Sequence, residues 1–198
     1  MTTNNEAPIE PNEEKARHAI QALHTIECDL ATAYIFKSFE QNVKMLKSLS
    51  QLTLKHEQLF FETLWRSCFY LIIIGLDKFK DIHTKYQRNY PKSALDKSAS
   101  VVAWVTKKQI AAIRNKYVAH LIDKKLKRPL SNQEAKEKIQ KIVGEDIEHF
   151  LTEVNNPLQQ DPSTIVKRIQ MVRVHISEFY KITIPLNNSS LDNINQFN

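Results

Sequence analysis

Residues Leu59 to Phe79 read LFFETLWRSCFYLIIIGLDKF, and this stretch decides the fold. Between Phe69 and Phe79 apolar residues cover nearly the whole circumference of a helical wheel, which predicts a central helix over about His56 to Tyr86. The most apolar run, Phe69 to Leu76, is far shorter than the ~20 residues that a membrane-crossing helix needs. The chain of 198 residues holds two glycines, Gly75 and Gly144. That scarcity argues against tight hairpins, phosphate-cradling loops and dinucleotide fingerprints, which all need glycine at fixed places.

Working outward, residues 1–12 carry two prolines and no periodicity, and read as a flexible arm. A first helix is expected from Glu13, with Asn12 as its N-cap, through Ile20, Leu23, Leu30, Ile35 and Phe39 to about Leu49. A break near Ser48–Thr53 separates it from the central helix. A loop holding Asn89, Pro91, Ser93 and Ser98 leads to a third helix, about Ala99 to Asp123, and the proline of KKLKRPLS ends it. Ser131-Asn132-Gln133-Glu134 is a capping-box pattern opening a fourth helix that runs to about Val154. Asp161-Pro162 offers an N-cap and a first-turn proline for a fifth, ending near Lys181. Residues 185–198 are Asn-rich and aperiodic, and read as a disordered tail. The expected architecture is one all-α domain over residues 13–184, a bundle of about five helices.

A 42% hydrophobic and 25% charged content is that of an ordinary soluble globule. The net charge of +6 is concentrated. Eight Lys and Arg residues lie between Lys107 and Arg128 against Asp123 alone, so the rest of the chain is close to neutral. Such local basicity suggests an anionic partner. Cys28 and Cys68 are too few for a disulfide framework and read as buried, reduced thiols. The acidic N-terminus shows no secretion signal, which predicts a cytoplasmic protein without a membrane partner. Neither a metal-ligand spacing nor a GxSxG nucleophile motif is evident, and no metal or cofactor is expected. Trp65 and Trp104 read as core, and His149, His175, Lys167, Arg168 and Arg173 as boundary or surface positions.

The stretch Arg114-Asn115-Lys116-Tyr117-Val118-Ala119-His120 carries the chemistry. An arginine holds phosphate by charge-assisted, bidentate hydrogen bonds, and a histidine moves a proton near neutral pH. Together they are the minimum equipment for cleaving a phosphodiester without a metal. On an ideal helix Arg114 and His120 diverge by about 120°. They would converge on one ligand only through a helix distortion or at a groove between two copies, which favours a homodimer. Taken singly, each also has a plain structural explanation: a solvated arginine, a hydrogen-bonded boundary histidine.

Arg114-Asn115 followed by His120 near the end of a core helix resembles the R-x(4–6)-H motif of the HEPN superfamily, in its abortive-infection and toxin branch. A polar residue directly after the arginine, here Asn115, belongs to that pattern. The preceding apolar helix with its late Leu76-Asp77 is similar too, so the likeness spans roughly Leu59 to Asp123. It implies a HEPN-like bundle that dimerises as a metal-independent endoribonuclease, with RNA as substrate and an antitoxin protein as a partner. Carried over, Arg114 would stabilise the phosphate in the transition state, His120 would serve proton transfer, and Asn115 would support the site. Asp77 is the candidate acidic residue, since it sits one turn from Ile73, faces inward, and needs a cation such as Arg114. Ile122 stands where a variant of the motif has a tyrosine that is nucleotidylated, so that variant is not expected. Lys116, Lys124, Lys125, Lys127 and Arg128 read either as a phosphate-backbone clamp or as a solvated basic loop. A non-catalytic helical module binding RNA, nucleotide or a partner protein is the alternative function.

Overall fold

The computed structural model describes residues 11–45, 54–115, 122–123, 128–129, 133–134, 137, 140, 144, 147–156 and 162–183. Helix α1 is Pro11–Met45. Pro11 opens it, where a missing N–H costs nothing, so Asn12 lies inside the first turn rather than capping it. Glu13 and Glu14 suit the positive end of the helix dipole, and Arg17 Nη2 donates to Glu13 Oε1 at 2.6 Å. Pro11 and Asn12 of the expected arm thus belong to the helix, and residues 1–10 lie outside the described set. The buried line Ala16, Ile20, Leu23, Ile26, Leu30 and Ala33 follows helical spacing.

Helix α2 is Leu54–Tyr86. Cys68, Phe69, Ile72, Ile73, Leu76 and Phe79 face the core, while Leu71 is 43% exposed. The helix is thus one wall of the bundle, not a central rod buried all round. At Gly75 α2 packs closely on α1: a Cβ there would meet Leu30 Cδ2 at 3.1 Å.

A 3₁₀ turn, Gln87–Asn89, and Pro91 connect α2 to helix α3, Lys92–Lys107. The helix therefore starts well before Ala99. Pro91 offers its carbonyl to the N–H groups of Ala94 and Leu95, and nothing in Ser93 or Ser98 breaks the turn that follows. Ser98 instead donates to Leu95 O at 2.9 Å, so its hydroxyl is satisfied within the helix.

The third helix is not continuous to Asp123. Gln109 adopts the left-handed conformation at φ 52°, which costs a non-glycine about 1–3 kcal/mol. Lys108 N–H to Trp104 O and Gln109 N–H to Thr106 O close α3, and Ala112 and Ile113 N–H to Gln109 O open the short α4, Ile110–Ile113. The chain then widens into a π-type turn at Arg114 and Asn115. Further on, Ile122–Asp123 (β1) and Arg128–Pro129 (β2) form a two-residue antiparallel ladder, Ile122 opposite Pro129 and Asp123 opposite Arg128. So Asp123 ends no helix, although the fold stays all-α.

The fourth expected helix is also divided. Gln133, Glu134, Glu137 and Gln140 are helical, but Gly144 sits at φ 106° and its N–H bonds Gln140 O at 2.8 Å. A positive φ suits glycine and stops the helix there. Helix α5, Ile147–Val154, starts afresh. Helix α6 is Ile165–Tyr180, capped by the Thr164 side chain, which accepts from Lys167 N–H, rather than by Asp161. Pro162 and Ser163 form a turn ahead of it, and Asp161 and residues 184–198 lie outside the described set.

Helices α1, α2, α3 and α6 form the walls of a four-helix bundle, each packed on the next and α6 on α1. Asn89 Nδ2 donates to Asn12 Oδ1 at 3.0 Å, and Tyr180 OH donates to Asn89 O at 2.9 Å. One end thus gathers the start of α1, the α2–α3 junction and the end of α6, so neighbouring walls run antiparallel. Near the other end α5 lays Phe150 against Phe69, with ring centroids 6.1 Å apart, and against Trp104 at 5.6 Å. Among the described residues no helix is long and apolar enough to cross a membrane.

Candidate functional site

Asp77 lies on the core side of α2, beneath the turn that follows α4. Arg114 Nη1 donates to Asp77 Oδ2 at 2.5 Å; the carboxylate side chain is 9% exposed and the guanidinium side chain 46%. A carboxylate withdrawn from water needs a partner, and the arginine supplies it while keeping much of its surface in solvent. Ile110 and Ile113, both fully buried, anchor α4. This hydrogen bond uses one guanidinium nitrogen, so the other N–H donors are not committed to Asp77. The result is a cation held in place from behind, suited to accept an anion from the front.

Asn115 follows in the same turn and is exposed. His120, Lys116, Lys124, Lys125 and Lys127 lie outside the described residues, and Arg128 is placed only by its backbone pairing with Asp123. Of the other cations in this basic segment, Lys107 is exposed. Lys108 has a structural role: its Nζ lies 2.6 Å from Glu153 Oε2 and 5.7 Å from the centroid of Trp104. Trp104 is half-buried against Phe150, and the Trp65 side chain is outside the described set.

Two polar clusters escaped the reading of the sequence. Arg173, expected on the surface of the last helix, is buried, and its Nε and Nη2 donate to Glu27 Oε1 and Oε2 at 2.7 and 3.0 Å. The signal was present: Arg173 lies four residues after Ile169 and three before Ile176, as Glu27 does between Leu23 and Leu30. Both charges occupy core positions. Burial pushes the Glu27 carboxyl up, against the pull of the Arg173 hydrogen bonds and charge. Next to it Cys28 is half-buried rather than buried, with Sγ 3.8 Å from His24 Nε2. Burial and the neighbouring Glu27 and Asp29 raise its thiol pKa, which opposes a nucleophilic role.

The second cluster joins α2 to α3. His83 Nδ1 lies 3.0 Å from Ser98 Oγ, whose proton goes to Leu95 O, so the imidazole is the donor. Burial lowers the His83 pKa, outweighing a hydrogen bond with Gln87. The ring of Tyr90 meets His83 edge-on at 6.2 Å, and burial raises the pKa of the tyrosine hydroxyl. His149 is exposed, 4.0 Å from Glu153, and His175 is half-buried on α6. Among the described residues no group of three or more His, Cys, Asp or Glu side chains is arranged to hold a metal ion.

No family model and no curated protein matches the chain. A solved structure does: an integron cassette protein from the mobile metagenome of V. paracholerae, with a TM-score of 0.62 at 23% identity. The match covers 87% of this chain and 99% of that one. At this identity the likeness is one of fold, and the function has to be argued from side chains.

Proposed function

We propose that this chain is a metal-independent endoribonuclease of HEPN type, acting in the cytoplasm as a toxin or phage-defence effector that an antitoxin protein restrains. The observation that carries the reading is the Asp77–Arg114 pair, a half-exposed guanidinium fixed by a buried carboxylate at a break in the helical path. Arg114 neutralises charge on the scissile phosphate as it becomes five-coordinate. His120 handles the proton of the attacking 2′-hydroxyl, Asn115 supports the site, and Asp77 positions the arginine. Attack of the 2′-oxygen on phosphorus breaks the P–O5′ bond, leaving a 2′,3′-cyclic phosphate and, with a proton delivered, a 5′-hydroxyl. Two copies bring their motifs to a shared cleft, and Lys116, Lys124, Lys125, Lys127 and Arg128 hold the RNA backbone beside it.

The deciding experiment incubates purified protein with RNA in EDTA, wild type beside His120→Ala. Wild type should cut and leave cyclic or 3′-phosphate ends, while the variant stays folded and inactive. Cleavage by both would remove His120 from the mechanism. One observation favours a second reading, a non-catalytic helical module that binds RNA, nucleotide or a partner protein: Arg114 already has a charge partner, as an arginine with no part in catalysis would. RNA retained but never cut would select that module.

A further inference from the structure

Between Lys108 and Ile110 the helical path changes phase. On α3 the buried residues Ala94, Ser98, Val101 and Val105 follow one line. If that helix ran on unbroken, at about 100° per residue, Ile110 would lie about 150° from the line and Arg114 about 170° from it, on the solvent side. Yet Ile110 and Ile113 are fully buried, α4 packs on α2, and Arg114 meets Asp77. The left-handed backbone of Gln109 makes this change of phase. Burial of two isoleucines outweighs the strain of one such residue. On α4 so turned, Arg114 falls about 70° from the midline of Ile110 and Ile113, at the margin of the buried face. From that margin a guanidinium touches a buried carboxylate and still keeps nearly half its surface in water, as this one does. The Gln109 side chain is exposed and makes no capping hydrogen bond to α4, so the backbone conformation alone carries the effect.

We propose that Gln109 is a positioning residue for the reaction: its left-handed turn aims Arg114 at Asp77 and, beyond it, at the phosphate. The proposal rests on the reading of Arg114 as the phosphate ligand. With an ordinary helical backbone at Gln109, the arginine swings to the far side of its helix and Asp77 is left without its cation.

The test compares Gln109→Gly and Gln109→Asn, which accept the left-handed region, with Gln109→Val, which opposes it. In each background Asp77→Asn, Arg114→Gln and the double variant are unfolded in denaturant, and the coupling of the pair is read as a ratio of unfolding constants. Wild type, Gln109→Gly and Gln109→Asn should show a coupling of roughly two- to fivefold, and Gln109→Val about none. A residue that merely helped folding would change stability and leave the coupling alone. RNA cleavage should follow the same order, with Gln109→Val down on the order of a hundredfold and the other two near wild type. Should Gln109→Val fail to fold, Gln109→Gly still decides. It should lower the unfolding constant roughly two- to fivefold by removing strain, whereas glycine within an ordinary helix raises it. Coupling or full cleavage kept in Gln109→Val, coupling lost in Gln109→Gly, or a Gln109→Gly protein less stable than wild type would each overturn the proposal. The coupling is read without RNA, so a wild type that never cuts would remove the ribonuclease reading and leave Gln109 to be judged by the coupling.

Discussion

Arg173 on α6 and Glu27 on α1 form a two-pronged, buried ion pair that ties the two walls together across 146 residues of sequence. Removing one member leaves the other charged and unsolvated. Arg173→Met should therefore cost about 3–5 kcal/mol of stability, measured by denaturant unfolding. Replacing both, as Glu27→Leu with Arg173→Met, should restore most of that loss, because no orphan charge remains.

Asp77 and Arg114 differ from that pair in exposure, and so in the expected cost. Arg114→Ala strands a buried carboxylate and should destabilise by about 1–3 kcal/mol, toward the low end because the guanidinium is half in solvent. Asp77→Asn should leave the fold nearly intact yet loosen the arginine. If Asp77 is a positioning residue, RNA cleavage by Asp77→Asn falls while Asp77→Glu recovers part of it. Equal activity of wild type and Asp77→Asn would assign the pair to structure alone.

His83 makes stability depend on pH. Its folded pKa lies below the ordinary 6.5, so the unfolded chain binds more protons between the two values. The His83 contribution is therefore present above pH 6.5 and is lost as pH falls toward the folded pKa. In His83→Asn the stability profile should flatten in that window. An unchanged slope would place the titrating group elsewhere.

Gly75 is set by packing. Alanine there gains up to about 1 kcal/mol of helix preference, but its methyl would press on the fully buried Leu30, and overpacking costs about 1–3 kcal/mol. Gly75→Ala should lower the melting temperature, and Gly75→Val should lower it further.

Much of this was legible along the chain. The scarcity of glycine and the long apolar run of α2 mark an all-α protein, since both features act through local geometry. Asp77 one turn from Ile73 demanded a cation, and Arg114 answers that demand. The helix ends were less legible. Pro91 rather than the serines after it sets the start of α3, and Gln109 breaks a helix although its residue type does not announce it.

The all-α class, the most apolar helix and the need of Asp77 for a cationic partner could all be read along the chain. Only the tertiary structure decided where the third and fourth helices divide, which side of α2 stays open, and that Arg173 and Glu27 meet in the interior. The physical reason is one of scale. Local preferences for caps and breaks differ by only about 1 kcal/mol per residue, so packing between distant helices overrides them. The periodic apolar pattern sums over many residues, and it survives every such local contest.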